Sequence, residues 1–152
     1  MADPCKFCED ASLRSDMVKV GLVPGGVLYL HRDQTHSGRL LLASRRHVKK
    51  VTDLSFQEYR ELMDSVYRAA QAVTDLLHPD KINYLIFGDT STHLHVHIVP
   101  KYRDGKDWGK VFLTDEPTPV LLPDAEYLSL RAGLRRRLGL ESNQEGFSWA
   151  IF

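Results

Sequence analysis

Between residues 93 and 99 the chain reads His93-Leu94-His95-Val96-His97-Ile98-Val99. In an extended strand alternate side chains share a face, so the three imidazoles point one way at intervals of about 6.6 Å while Leu94, Val96 and Ile98 point the other. The run therefore predicts a strand with one apolar face for a core and one imidazole face for chemistry, ended by Pro100. Three roles suit such a face. The histidines are incidental polar positions of a half-exposed strand, or they form a three-histidine metal site built from neutral imidazole donors. In the third role, one imidazole attacks phosphorus while its neighbours orient it and bind phosphate oxygens. Strict alternation of three histidines argues against the first.

The rest of the chain surrounds this strand with short elements. Val27 to Leu30 and Arg39 to Ser44 are apolar runs separated by turn residues, which predicts two strands joined by a turn. Ser55 with Glu58 forms a capping-box signature, and Tyr59, Leu62, Met63, Val66, Ala70, Val73 and Leu77 recur at the spacing of one helical face before Pro79 stops it. Ile82 to Phe87 predicts a buried strand that pairs with the histidine strand as a hairpin across Gly88 to Thr92. Residues 103–123 show no period. Asp124 then predicts the cap of a last helix, with Tyr127, Leu130, Leu134 and Leu138 on its face and Arg135, Arg136 and Arg137 towards its C-terminal end, where positive charge suits the dipole. Strands and helices without regular alternation predict an α+β fold, a mainly antiparallel sheet packed with helices. The reading takes 1–140 as one domain and 141–152 as a C-terminal tail. Phe147, Trp149, Ile151 and Phe152 make that tail apolar enough to predict that it packs against this protomer or a second one.

Charge and hydropathy exclude some roles. Twenty basic and twenty acidic residues among 152 cancel, which leaves no electrostatic footprint for a nucleic-acid duplex. No apolar run approaches the length of a membrane span, and the first residues lack a signal-peptide pattern, so a cytoplasmic protein with reduced cysteines is expected.

The motif and its surroundings resemble the histidine-triad (HIT) superfamily, whose signature is His-φ-His-φ-His-φ-φ with φ apolar. The resemblance extends to Gly38 followed by Arg39-Leu40-Leu41-Leu42, His47, the Leu54-Ser55 helix start, Pro79-Asp80-Lys81-Ile82-Asn83-Tyr84, Pro100-Lys101-Tyr102 and Trp108-Gly109, the pattern of the bacterial branch. It implies a homodimer that binds a nucleotide substrate and cleaves at its α-phosphorus through a nucleotidyl-histidine. His95 is then the nucleophile, assisted by His97. The position that contacts ribose falls on His31, with Asp33 and Gln34 as neighbouring substitutes. Asp89 stands where relatives carry asparagine, and a carboxylate there repels phosphates. Ser91 and Thr92 offer hydroxyl donors to phosphate oxygens. Arg39, Lys101 and Arg103 either reach the phosphates or, as the plainer reading has it, are solvated surface charges near the motif, and Trp108 either closes over the site or anchors its own loop. The alternatives to catalysis are a nucleotide-binding regulatory module and the three-histidine metalloenzyme.

Cys5-Lys6-Phe7-Cys8 is a C-x-x-C with too few residues before it for a redox motif that follows a strand. A structural zinc needs two further ligands. The same resemblance supplies His47 and His93, with His36 in reserve, so zinc bound by Cys5, Cys8, His47 and His93 would tie the N-terminal segment to the catalytic strand.

Overall fold

The computed structural model describes residues 5–9 and 15–140. In chain order these form β1 (Met17–Val23), β2 (Gly26–His31), β3 (Leu40–Ser44), α1 (Phe56–Leu77), β4 (Lys81–Leu85), β5 (His95–Lys101) and α2 (Asp124–Arg137). The strands make one sheet in the order β1-β2-β3-β5-β4, every pair antiparallel. This is the expected α+β architecture. The histidine strand lies inside the sheet between β3 and β4, opposite Leu41 at His97 and Ala43 at His95.

Alternation sorts the sheet's side chains onto two faces. Leu28, Leu30, Leu40, Leu42, Val96 and Ile98 meet Leu62, Val66 and Val73 of α1 and Tyr127 and Leu134 of α2. Burying each such aliphatic side chain contributes about 1.5–3 kcal/mol, so this side carries most of the stability. Tyr29, Leu41 and Ala43 face the other way, with Met17 and Phe7, alongside His95 and His97.

Helix α1 starts at the predicted capping box. The Glu58 N–H donates to the Ser55 hydroxyl at 3.2 Å, and the Ser55 N–H donates to the Glu58 carboxylate at 2.7 Å. It ends at His78, in the left-handed conformation at φ 50°, just ahead of Pro79. The buried stripe differs from the expected one. Leu62, Ser65, Val66, Ala69, Ala70, Ala72 and Val73 face inward, whereas Tyr59 and Met63 are exposed. Three alanines let the helix lie close to the sheet, and the larger side chains at the stripe's edge are pushed outward.

Other boundaries moved for physical reasons. The histidine strand begins at His95, not His93, and runs through Pro100 to Lys101. Pairing with β3 stops at Ile98, so beyond it β5 has a neighbour on one side only, where a residue without an N–H is tolerated. Strand β1 escaped prediction because a bulge between Lys19 and Gly21 breaks its alternation. Pro123, not Asp124, occupies the N-cap position of α2 and gives no side-chain hydrogen bond there; Asp124 is the first helical residue, paired with Arg32 at 3.4 Å. The tail prediction concerns 141–152, which lie outside the described residues. No helix among the described residues is long and apolar enough to cross a membrane.

Candidate functional site

His95 and His97 stand side by side on β5, ring centroids 5.1 Å apart. Their exposures are only 6% each. The Nδ1–H of His95 donates to the carbonyl of His93 at 2.7 Å. A carbonyl only accepts, so this bond fixes the tautomer and leaves the His95 Nε2 with a free lone pair. Burial pushes the His95 pKa below its ordinary value, against the opposing effect of the His93 carbonyl, so the imidazole is neutral near pH 7. Burial, then the charges of His95, Arg39 and His31, push His97 further, to about 3. Its Nδ1 is buried without a hydrogen-bond partner among the described residues. Phe7 closes one side of the pair, 5.2 Å from the His95 ring, and Phe112 and Phe87 each stand 6.2 Å from His97.

His93 leaves this pair and joins the cysteines. Its Nε2–H donates to the Ser44 carbonyl at 2.8 Å, which turns the Nδ1 lone pair towards Cys5 Sγ at 3.3 Å and Cys8 Sγ at 3.6 Å. His47 Nδ1 lies 3.4 Å from Cys8 Sγ. The ligand atoms of Cys5, Cys8, His47 and His93 all fall within 4.8 Å of one another. Donors around a tetrahedral zinc, with bonds of about 2.0–2.3 Å, stand about 3.3–3.8 Å apart. The donor set, two thiols and two imidazoles with no intervening group, is therefore one that can hold a metal ion.

On the other flank, a cavity of about 290 Å³ opens beside His31, lined by Lys6, Asp16, Met17, Asp33, Thr114 and Asp115 among others. The Asp33 N–H donates to His31 Nδ1 at 3.1 Å, so the proton of this imidazole sits on Nε2 as a donor. Burial and the charge of Arg39, opposed by Asp33, push the His31 pKa to about 4. Arg39, at 1% exposure, donates to Asp33 at 3.2 Å and to the Thr114 carbonyl at 3.0 Å. Burial works against the Asp33 charge, but hydrogen bonds from Thr35 and the Arg39 guanidinium hold its carboxyl below the usual range.

The structure brings the expected residues together unequally. His95, His97 and His31 share one face of the sheet, and Cys5, Cys8, His47 and His93 meet at its end. His36 takes no part in that cluster; it is buried against Asp107 at 3.2 Å. Gln34 is buried and spends its amide on the β2–β3 turn, donating to the His31 carbonyl at 2.6 Å and accepting from the Gly38 N–H at 2.8 Å. Gly38 itself has φ +86°, and a Cβ there would meet Leu77 at 2.5 Å. Asp89 and Thr92 are exposed and Ser91 half-buried in the turn ahead of β5.

Two of the basic residues read as surface charges are not. Arg39 is the strut just described, and Lys101, at 2% exposure, donates to the carbonyls of Asp107 and Lys110. Both tether the irregular segment to the sheet, a role that pattern reading cannot see because the partners are backbone carbonyls. Arg103 is exposed and lies over the Trp108 ring at 5.3 Å, so Trp108 anchors its own loop. Sequence reading missed Phe7, Phe112 and Lys6 as neighbours of the histidines.

The HIT domain matches residues 15–104. Over 69 residues, 42% of this chain and 46% of the relative, the sequence is 32% identical to a bis(5'-adenosyl)-triphosphatase of Dictyostelium discoideum. A histidine triad protein of Bradyrhizobium japonicum has the same fold at a TM-score of 0.76, with 24% identity over 84% of this chain and 94% of its own. A zinc-bound histidine triad family protein of Mycobacterium smegmatis superposes at 0.65, with 22% identity over 90% of this chain and 97% of its own. The domain match spans more than half of the sequence and contains all three motif histidines, and on that ground the chain belongs to the HIT domain family.

Proposed function

We propose that this protein is a nucleotidyl hydrolase or transferase that acts at the α-phosphorus of a nucleoside phosphate derivative, such as a dinucleoside polyphosphate or a phosphoramidate. The observation that carries the reading is the His95–His93 carbonyl hydrogen bond, because it holds a neutral imidazole with its Nε2 lone pair unused. That nitrogen attacks phosphorus in line. The N–P bond forms as the bond from phosphorus to the leaving oxygen or nitrogen breaks, and the leaving group departs with its electron pair and takes a proton from solvent. A water or second acceptor then attacks the same phosphorus and gives its proton to solvent, the N–P bond breaks with its electron pair returning to Nε2, and neutral His95 is restored. His97 is neutral at pH 7, so its part is to hydrogen-bond the phosphoryl oxygens, not to neutralise them as a cation. The 32% identity to a bis(5'-adenosyl)-triphosphatase supports a nucleotide substrate.

The set of Cys5, Cys8, His47 and His93 is proposed to hold a structural zinc. The donor spacing and the zinc-bound relative support this. With its four positions filled by protein, such a zinc supplies no chemistry; these residues anchor segment 5–9 against β5. The three-histidine metalloenzyme lacks comparable support, since the donor cluster takes His93 away from His95 and His97. The chain is further proposed to work as a cytoplasmic homodimer, for which sedimentation of the purified protein is the check on assembly.

Single-turnover mixing with an adenylylated fluorescent substrate, acid quench and peptide mass analysis tests the chemistry. An adenylyl group on His95 is the expected result. Nucleotide binding with no labelled histidine and no turnover would replace the enzyme with a nucleotide-binding regulatory module.

A further inference from the structure

The C-x-x-C loop carries two residues that its metal-ligand role does not use, and both face the histidine site. Phe7 is 8% exposed and packs on the rings of His95 at 5.2 Å and His93 at 5.5 Å. The Lys6 ammonium lies over the Phe7 ring at 5.3 Å and lines the 290 Å³ cavity together with His31. His31 presents its Nε2–H as a fixed donor, since Nδ1 is engaged by the Asp33 N–H. The charge of Lys6 also acts on His31, His95 and His97 alike, which places it within electrostatic reach of all three. A cation and a neutral donor thus line one cavity, together with Arg32, and Phe7 beside Lys6 packs on the nucleophile's ring.

The carboxylates around the same cavity are distributed differently. Asp33 is engaged by Arg39 and Thr35, and Glu116 by Lys106. Asp16 and Asp115 are exposed. The cavity therefore has half-buried donors, Lys6 and His31, beside exposed carboxylates, Asp16 and Asp115. An anionic oxygen suits the half-buried donors, and hydroxyl or amine groups suit the exposed carboxylates.

We infer that Lys6 is a substrate-binding residue, an anion contact to a phosphate group of the substrate carried to the site by the cysteine loop, and that His31, whose free Nε2–H is a donor, turns to the same phosphate and not to the ribose that the resemblance implies for its position. The inference rests on the proposed phosphate chemistry and deepens it, because it makes the loop that ties down the N-terminal segment also the element that sets phosphate affinity. Lys6 stands between two metal ligands, so its ammonium reaches the cavity only while Cys5 and Cys8 are both held against His47 and His93.

Calorimetric titration of the metal-replete protein with adenosine monophosphate and with inorganic pyrophosphate tests this, using Lys6→Ala, Lys6→Arg and His31→Ala. Lys6→Ala should weaken both probes by about tenfold, the loss of one charge-assisted contact, with metal content and Tm unchanged. Lys6→Arg should restore most of the affinity, and the wild-type advantage over Lys6→Ala should shrink as salt rises. His31→Ala should weaken the same probes in the same direction. Wild-type affinity in Lys6→Ala, with metal retained, overturns the inference, as does an equal loss in Lys6→Arg. These binding readouts are separate from histidine labelling: phosphate binding that depends on Lys6 without a labelled His95 sinks the proposed chemistry alone, and a labelled His95 with affinity indifferent to Lys6 sinks this inference alone.

Discussion

The two faces of the sheet are built to opposite rules. The helix-covered face is aliphatic throughout, with Leu28, Leu30, Leu40, Leu42 and Ile98 each at 0% exposure, and any one leucine there is interchangeable in kind with its neighbours. The histidine face has a small apolar patch around Tyr29 and Leu41 and buries imidazoles, a guanidinium and a carboxylate, of which His95, His31, Arg39 and Asp33 have specific hydrogen-bond partners. Stability comes from area on the first face and from pairing on the second. A deletion on the helix side should cost stability in proportion to volume, whereas one on the histidine side should change activity or metal content first.

The largest effect expected is on chemistry. His95→Ala should lower nucleotidyl transfer by more than about a thousandfold with little change in Tm, measured by initial rates and thermal melting. Residual activity within tenfold of wild type would remove His95 as nucleophile. On the opposite face, Leu42→Ala should cost about 2–5 kcal/mol in chemical denaturation, against a smaller loss for Leu41→Ala, which lies in the smaller cluster. Equal losses would erase the distinction between the faces.

The metal ligands lie between these extremes. Cys5→Ser with Cys8→Ser should abolish stoichiometric zinc by elemental analysis and lower Tm clearly; unchanged metal content would take the cysteines out of the site. A smaller effect should appear on acidification. His31 and His97 titrate near 4 and 3 in the folded protein against an ordinary 6.5. The unfolded chain therefore binds more protons between those values. Their contribution to stability is intact above pH 6.5 and falls as pH drops towards 4 and then 3. Denaturation midpoints taken across that range check the sign, and replacing His97 by Asn should flatten the slope. The smallest change is expected at Ser55→Ala, which removes the α1 cap at a cost of about 1 kcal/mol.

Where side-chain periodicity governs, the sequence was readable. The pairing of β4 with β5, the capping box at Ser55 and the face of α2 through Tyr127 and Leu134 all follow from pattern, but the buried strand expected over Ile82 to Phe87 is instead an edge strand that ends at Leu85 with no buried residue, leaving Ile86 and Phe87 exposed. The histidine alternation pointed to the site for the same reason. What pattern could not reach were contacts between side chains and distant backbone. Arg39 and Lys101 look like surface charges until the irregular segment supplies carbonyls for them. Gln34, a candidate for substrate, is consumed by its own turn. Bulges hide strands as well, because β1 loses its alternation at Lys19.

His93 has a double attachment whose consequence is genetic as much as chemical. Its ring belongs to the cysteine cluster, but the bond that sets the His95 tautomer comes from its carbonyl, which every amino acid possesses. The side chain at 93 therefore acts on the nucleophile only through the peptide plane that it holds still. A lineage could discard both cysteines and His93 together and keep its nucleophile, provided another anchor held the peptide at 93 in place. Losing one of the four alone would strand the other three.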